Sequence, residues 1–119
     1  MLLDLGGRTV APPKDLFLFG LIGQGCVMNY PVVAAADSYS ICHLNVAHLF
    51  LRKDIQGIAT GFALALDGVW YRHSWGLNEH RIIETNGKFT DYWGSILSQN
   101  DSGKFIAHLR SKYPDQFDG

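Results

Sequence analysis

Residues 68–85 constrain the fold of this chain more than any other segment. Two runs rich in β-branched and aromatic residues, 69–77 and 81–85, flank the polar corner Asn78-Glu79-His80. Runs of this kind, joined by a short polar loop, are typical of an antiparallel β-hairpin. The segment therefore predicts two paired strands.

The length of the hairpin loop decides which side chains face each other. A two-residue loop at 78–79 pairs Leu77 with His80 and places His73 directly opposite Glu84. Facing residues have β-carbons about 5 Å apart, close enough for a carboxylate to hold an imidazole ring. The hairpin thus predicts a histidine oriented by an acid.

Neighbouring segments extend the hairpin into an antiparallel sheet of three to five strands. A run at 58–66 ends at Asp67-Gly68, and Asn86-Gly87 precedes a fourth run at 88–93; both dipeptides are strong turn signals. Upstream, residues 16–23 are apolar enough for a buried strand or a helix, and periodicity favours neither.

Two helices complete the predicted fold. The first begins at Ser38 or Ser40, each a favourable N-cap residue, and runs to residue 51. Cys42 then lies in its first turn, where the helix dipole favours a thiolate. A second helix, capped by Asp101 or Ser102, closes the chain.

The length and composition indicate one α+β domain over residues 1–119. We expect an N-terminal arm and apolar segment at 1–37, a core of helix and sheet at 38–94, and a C-terminal helix at 95–119. The net charge is -1 and the basic residues are scattered, which argues against nucleic-acid binding. The longest apolar run, 16–27, is too short to span a bilayer, and the start of the chain lacks a secretory pattern. We therefore expect a cytoplasmic protein with free thiols.

The order of cysteine, histidine and acid matches the needs of thiol catalysis. Cys42 supplies a nucleophile, His73 supplies a general base that becomes an acid, and Glu84 fixes the orientation of His73. For each residue a structural role is the alternative: Cys42 as a small buried hydrophobe, and the other two as a cross-strand pair on the sheet surface.

This layout resembles the papain-like and transglutaminase-like superfamily of cysteine enzymes. The segment His73-Ser74-Trp75 is similar to the His-small-Trp segment common in transglutaminase-like proteins, and Ile83-Glu84-Thr85 occupies the place of their hydrophobic-Asp-x-Thr segment. Here Glu84 replaces the usual aspartate. Small bacterial and phage proteins of this type share looser likenesses to four segments of the chain, which are Cys42-His43-Leu44-Asn45, Gly61-Phe62-Ala63-Leu64, His73-Ser74-Trp75 and Tyr92-Trp93-Gly94.

The resemblance implies a papain-like core and a reaction at an acyl carbon through a thioester at Cys42. Hydrolysis of an amide or peptide, deamidation, and transfer to an amine all fit, with a protein, peptide or small amide as substrate and no cofactor or metal. Gln24 resembles the glutamine that helps bind the oxyanion in papain-like enzymes. Trp75 is the second predicted substrate-site residue, and we expect it to shield the pair of His73 and Glu84 from water.

Three alternatives remain open from the sequence. Cys26 follows a glycine-rich turn and is a competing nucleophile. His43 and His48 lie on the same predicted helix as Cys42 and suggest a metal site, although their spacing of five differs from the i, i+4 pair that zinc sites use. Finally, the same fold without activity would serve as a protein-binding or inhibitory module.

Overall fold

The computed structural model describes residues 2–12, 14–35 and 41–117. These residues form an α+β fold with one mixed sheet of seven strands and three α-helices. The strands are β1 (Thr9–Val10), β2 (Cys26–Val27), β3 (Val32–Ala34), β4 (Gly57–Ala65), β5 (Val69–Asn78), β6 (Arg81–Glu84) and β7 (Phe89–Ile96). The helices are α1 (Leu16–Gly20), α2 (Cys42–Leu51) and α3 (Gln99–Lys112), and short 3₁₀ helices span Leu2–Leu5 and Pro114–Gln116.

The sheet is larger than the sequence indicated, and it is not purely antiparallel. Its strand order is β2-β7-β4-β5-β6-β3, with β1 pairing beside β5. The pairs β1 with β5 and β3 with β6 are parallel, whereas the remaining pairs are antiparallel. The prediction of three to five antiparallel strands was therefore wrong at the margins. The strands it lacked have two or three residues each, which is too short to show a period of two.

The fourth long strand, β7, does not continue the hairpin. It pairs with β4 instead of β6, so that β4 lies between β5 and β7. Two glycines face each other at the centre of this pair, Gly61 and Gly94. A Cβ atom on either would collide with the backbone of the opposite strand. These glycines therefore permit a close approach of β4 and β7.

The β5–β6 hairpin forms as predicted, but its loop lies one residue later. Glu79 and His80 form the turn, and both adopt left-handed backbone angles, with φ of 47° and 65°. Leu77 consequently pairs with Ile82 instead of His80. This register differs from the predicted one by two residues. Because side chains alternate with a period of two, the shift preserves which residues share a face.

The helix ends differ from the predicted caps. Ile41 occupies the N-cap position of α2 without a side-chain hydrogen bond, while Ser38 and Ser40 lie outside the described residues. The N-cap of α3 is Ser98, whose hydroxyl accepts a hydrogen bond from the backbone N–H of Asp101, so the predicted caps Asp101 and Ser102 were too late. Ser98 caps the helix because its backbone is extended, as the N-cap position requires.

The apolar segment at 16–23 contains a helix instead of a strand. Asp15 caps α1 by accepting a hydrogen bond from the Leu18 N–H, 3.0 Å away. Only Leu18 of this five-residue helix is buried. The continuous apolar run thus reflects a helix with several exposed apolar side chains, not a core strand.

Two faces of the sheet carry separate apolar clusters. Helices α2 and α3 cover one face, where side chains such as Leu44, Ile58 and Phe105 pack together. The other face holds a second cluster that includes Trp75, Ile82 and Tyr92. Within the described part of the chain, no helix is long and apolar enough to cross a membrane.

Candidate active site

Cys42 is the first residue of α2 and is half-buried beside the sheet. The first N–H groups of a helix have no partner within the helix and carry its positive dipole end. Both features favour a negative charge on a side chain in this position. The packing of α2 against β5 brings this end of the helix to His73.

His73 and Glu84 form a buried pair, as the hairpin predicted. The His73 Nε2 atom lies 2.8 Å from each carboxylate oxygen of Glu84. Each residue is only 3% exposed. In the observed register the two residues are diagonal neighbours and not directly opposite, a wider spacing of roughly 7–8 Å between backbones. The long side chain of Glu84 spans this distance to reach His73.

Two further groups hold the Glu84 carboxylate. The Tyr92 hydroxyl donates to Oε1 at 2.8 Å, and the backbone N–H of Asn86 donates to Oε2 at 2.9 Å. With the His73 N–H, the carboxylate therefore accepts hydrogen bonds from three groups. Such a carboxylate is fixed in position and stays ionised although it is buried.

Cys42 lies close enough to His73 for the two side chains to influence each other. His73 lowers the pKa of Cys42, and Cys42 raises the pKa of His73. Because Nε2 is bonded to Glu84, Nδ1 is the ring nitrogen left for Cys42. The structure thus brings the three predicted residues Cys42, His73 and Glu84 together. Their catalytic roles remain predictions.

The three groups favour their charged forms together. Burial opposes this for each of them, but the mutual contacts outweigh burial. The hydrogen bonds and charges of Cys42 and Glu84 raise the pKa of His73 to about 9. The charge and hydrogen bonds of His43 and His73 hold the pKa of Cys42 well below its usual value, and the bond to His73 lowers the pKa of Glu84. These interactions therefore favour a thiolate, an imidazolium and a carboxylate together.

Aromatic rings enclose the His73 imidazole. Phe89 lies 4.4 Å from it between ring centroids, and Trp75 stacks at 6.0 Å with planes 25° apart. Trp75 has 0% exposure, so it offers no surface to a substrate, and this packing gives its predicted substrate-binding role no support. Its predicted function of shielding the charged pair from water stays a prediction that this packing suits.

Gln24 lies far from the predicted oxyanion site. It is exposed on a turn that precedes β2, which pairs with β7. Between β2 and β5 there are three strand spacings in the sheet, or about 14 Å. The strand order therefore argues against the prediction that Gln24 assists Cys42. The similarity rested on residue type, and the fold places this segment next to β2, at one edge of the sheet.

His43 is a site residue whose position the sequence did not reveal. Its Nδ1 atom lies 3.9 Å from the Cys42 sulfur and 2.6 Å from the Ser74 hydroxyl oxygen. Ser74 in turn lies 2.9 Å from the Thr60 hydroxyl. Successive strand residues point to opposite faces, so His73 and Ser74 leave β5 on different sides. His73 lies near Cys42, and Ser74 contacts His43. The adjacency of Cys42 and His43 was the available signal, but it indicated side chains that point apart.

Metal ligation finds little support in this geometry. The described ranges contain no group of three or more His, Cys, Asp or Glu side chains placed to hold a metal ion. His48 lies about 1.4 turns along α2 from His43. It stacks on Phe117, with ring centroids 4.9 Å apart. The two histidines therefore belong to different environments.

The competing nucleophile Cys26 occupies an exposed position on β2, paired with Gly94 of β7. No hydrogen bond or ion pair links its thiol to another described side chain. Cys42 is thus the cysteine that has histidine side chains as neighbours.

The chain matches no protein-family model, no curated protein and no solved structure.

Proposed function

We propose that the protein is a cysteine-dependent acyl-transfer enzyme with a papain-like or transglutaminase-like core. The observation that carries this proposal is the grouping of Cys42 with His73 and Glu84, in which His73 Nε2 lies 2.8 Å from the Glu84 carboxylate and all three groups favour their charged forms. Free, thiolate-forming cysteines are typical of a cytoplasmic setting, which we retain as part of the proposal.

The proposed reaction begins with attack by the Cys42 thiolate on the carbonyl carbon of an amide or peptide. A C–S bond forms and the carbonyl π electrons move to oxygen, giving a tetrahedral oxyanion. The unpartnered N–H groups at the start of α2, including that of Cys42, are suited to stabilise this charge.

Proton transfer from His73 then completes the first half of the reaction. The imidazolium gives its Nδ1 proton to the leaving nitrogen, the C–N bond breaks and a thioester remains on Cys42. Water or an amine next attacks the thioester and gives up a proton to His73, and the C–S bond then breaks to release the acyl product and restore the Cys42 thiolate. Glu84 keeps the ring in place and stabilises its positive charge in both halves. Hydrolysis, deamidation and transfer differ only in the group that attacks the thioester and in the substrate.

Alkylation by iodoacetamide at pH 6 tests whether Cys42 is activated. We expect Cys42 to react about tenfold or more faster than Cys26, because a thiolate with a lowered pKa is populated at this pH and an ordinary thiol is not. Peptide mass spectrometry after timed quenching gives both rates in one sample.

Three variants serve as controls for the alkylation. Cys26→Ser should leave the rate at Cys42 unchanged, Cys42→Ser should remove the fast phase, and His73→Asn should slow labelling at Cys42. Equal rates at the two cysteines would contradict the proposal. That result would favour the alternative of an inactive module that binds or inhibits another protein.

A further inference from the structure

A cavity of about 310 Å³ lies beside the proposed nucleophile. One of its walls is His43, whose Nδ1 atom is 3.9 Å from the Cys42 sulfur. The remaining walls come from the segment before α1, from β5 and from the end of α3. A substrate whose acyl carbon reaches Cys42 therefore has this cavity as adjoining space.

The charged side chains that line the cavity are mainly positive. They are Lys14, Arg72 and Lys112, opposed by Asp15. Asp15 is already engaged, since its Oδ2 atom lies 3.0 Å from the Lys112 nitrogen and 2.8 Å from His108 Nε2. Lys14 and Arg72 have no acidic partner within 4.0 Å among the residues that the structure describes. The cavity thus holds an excess of positive charge.

Hydrogen bonds fix the Arg72 guanidinium and leave some of its N–H groups available for a ligand. Its Nη1 atom donates to the backbone carbonyls of Gly61 and His73, and Nη2 donates to the Thr60 hydroxyl at 3.0 Å. These bonds use three of the five N–H donors of a guanidinium group. One N–H on Nε and one on Nη2 have no partner in the described part of the chain. Adjacent donors of this kind match the two oxygens of a carboxylate.

Burial makes an anion at this place favourable. Arg72 is half-buried, and loss of solvation lowers its pKa to about 10, only partly offset by the charges of Cys42 and Asp15. A bound anion would compensate the buried charge. The negative charge of Asp15 in the same cavity disfavours multiply charged anions, so a monovalent carboxylate fits better than phosphate.

We propose that this cavity is a subsite for a carboxylate on the substrate, with Arg72 as its principal ligand. The substrate class is then an amide or peptide that carries a free carboxylate near the bond attacked by Cys42. This assignment of substrate rests on the proposed acyl-transfer function. The binding of a carboxylate in the cavity does not depend on that function, and a separate experiment measures it.

Binding of N-acetylglycine to the full-length Cys42→Ala variant tests the subsite without any chemistry at Cys42. In ¹⁵N-labelled protein we expect saturable shifts of the Arg72 Nε–H signal. N-acetylglycinamide, which lacks the charge, should cause no saturable shift at the same concentrations. Arg72→Gln should weaken binding by about tenfold or more, because it removes charge-assisted hydrogen bonds. Arg52→Gln, at the far end of α2, is the matched control and should bind normally.

The outcomes separate the subsite from the proposed function. Equal binding of the amide, or an equal effect of Arg52→Gln, would overturn the subsite even if Cys42 is reactive. Tighter binding of inorganic phosphate than of N-acetylglycine would overturn the assignment of a carboxylate. If circular dichroism shows that Arg72→Gln does not fold, Lys14→Gln combined with Lys112→Gln takes its place. That double variant removes two positive charges from the exposed rim of the cavity and should weaken the binding of N-acetylglycine severalfold. Unchanged binding would overturn the proposal.

Discussion

Replacing Cys42 with serine is expected to lower the rate of acyl-enzyme formation by about 10³-fold or more. The reason is that a serine hydroxyl stays protonated beside an imidazolium, whereas the Cys42 thiol gives up its proton to His73. With p-nitrophenyl acetate as acyl donor, rapid quenching and intact-protein mass spectrometry measure the acetylated fraction. Cys42 is half-buried and serine is slightly smaller, so the fold should remain intact by circular dichroism.

Cys26→Ser provides the matched control for this substitution, because it removes the other thiol and should leave acetylation unchanged. Acetylation that persists in Cys42→Ser but disappears in Cys26→Ser would place the nucleophile at the other cysteine and contradict the proposed site.

Replacing Glu84 with glutamine is expected to reduce acyl-enzyme formation by roughly 10²-fold or more and to destabilise the fold. The carboxylate accepts hydrogen bonds from His73, Tyr92 and the Asn86 N–H, and a neutral amide cannot stabilise the imidazolium in the same way. Loss of one partner from a buried ion pair typically costs about 3–5 kcal/mol. Chemical unfolding of wild type and variant measures this difference, and acetylation kinetics measure the rate.

The stability difference between wild type and Glu84→Gln should depend on pH. The lowered pKa of Glu84 gives stabilisation that is fully present above its ordinary value of 4.5 and lost as pH falls through the folded value. The raised pKa of His73 gives stabilisation that is fully present below 6.5 and lost as pH rises through about 9. The difference should therefore be greatest between pH 4.5 and 6.5. A difference that grows toward pH 9 would contradict the charged pair.

The hairpin shows both the strength and the limit of sequence reasoning about this fold. Periodicity and turn residues identified the strands and placed His73 and Glu84 on one face. The loop was misplaced because Asn78-Glu79 and Glu79-His80 are similarly polar, and only the left-handed backbone at residues 79 and 80 distinguishes them. His73 and Glu84 still meet, because a shift of two residues leaves each side chain on the same face of the sheet.

Features that depend on distant contacts were not accessible in the same way. The position of β7 beside β4 is fixed by packing around Gly61 and Gly94, which no local pattern encodes. His43 and Arg72 gained their importance from Ser74 and Thr60, on strands far along the chain. Gln24 lost its predicted role for the same reason. Residue type alone suggested it, whereas the strand order separates it from Cys42.

The two histidines beside Cys42, His73 and His43, are suited to different roles. His73 is buried and bonded to Glu84, so it is suited to exchange a proton with substrate. His43 shares its Nδ1 atom between Ser74 and the sulfur, and it also lines the basic cavity. In the proposed enzyme, one side of the cysteine therefore meets the catalytic histidine, and the other side meets the part of the site that selects the substrate.

The pH dependence of Cys42 alkylation tests the central claim most directly. In a Cys26→Ser background, the rate of reaction with iodoacetamide is measured from about pH 5 to about pH 10, a range that spans the ordinary thiol pKa. The contacts with His43 and His73 predict an apparent pKa well below that of a free thiol, with a rate that is already near its plateau at neutral pH. In His73→Asn the midpoint should move upward. A single rise centred near pH 8.5, about that of an ordinary thiol and unaffected by His73→Asn, would contradict an activated cysteine.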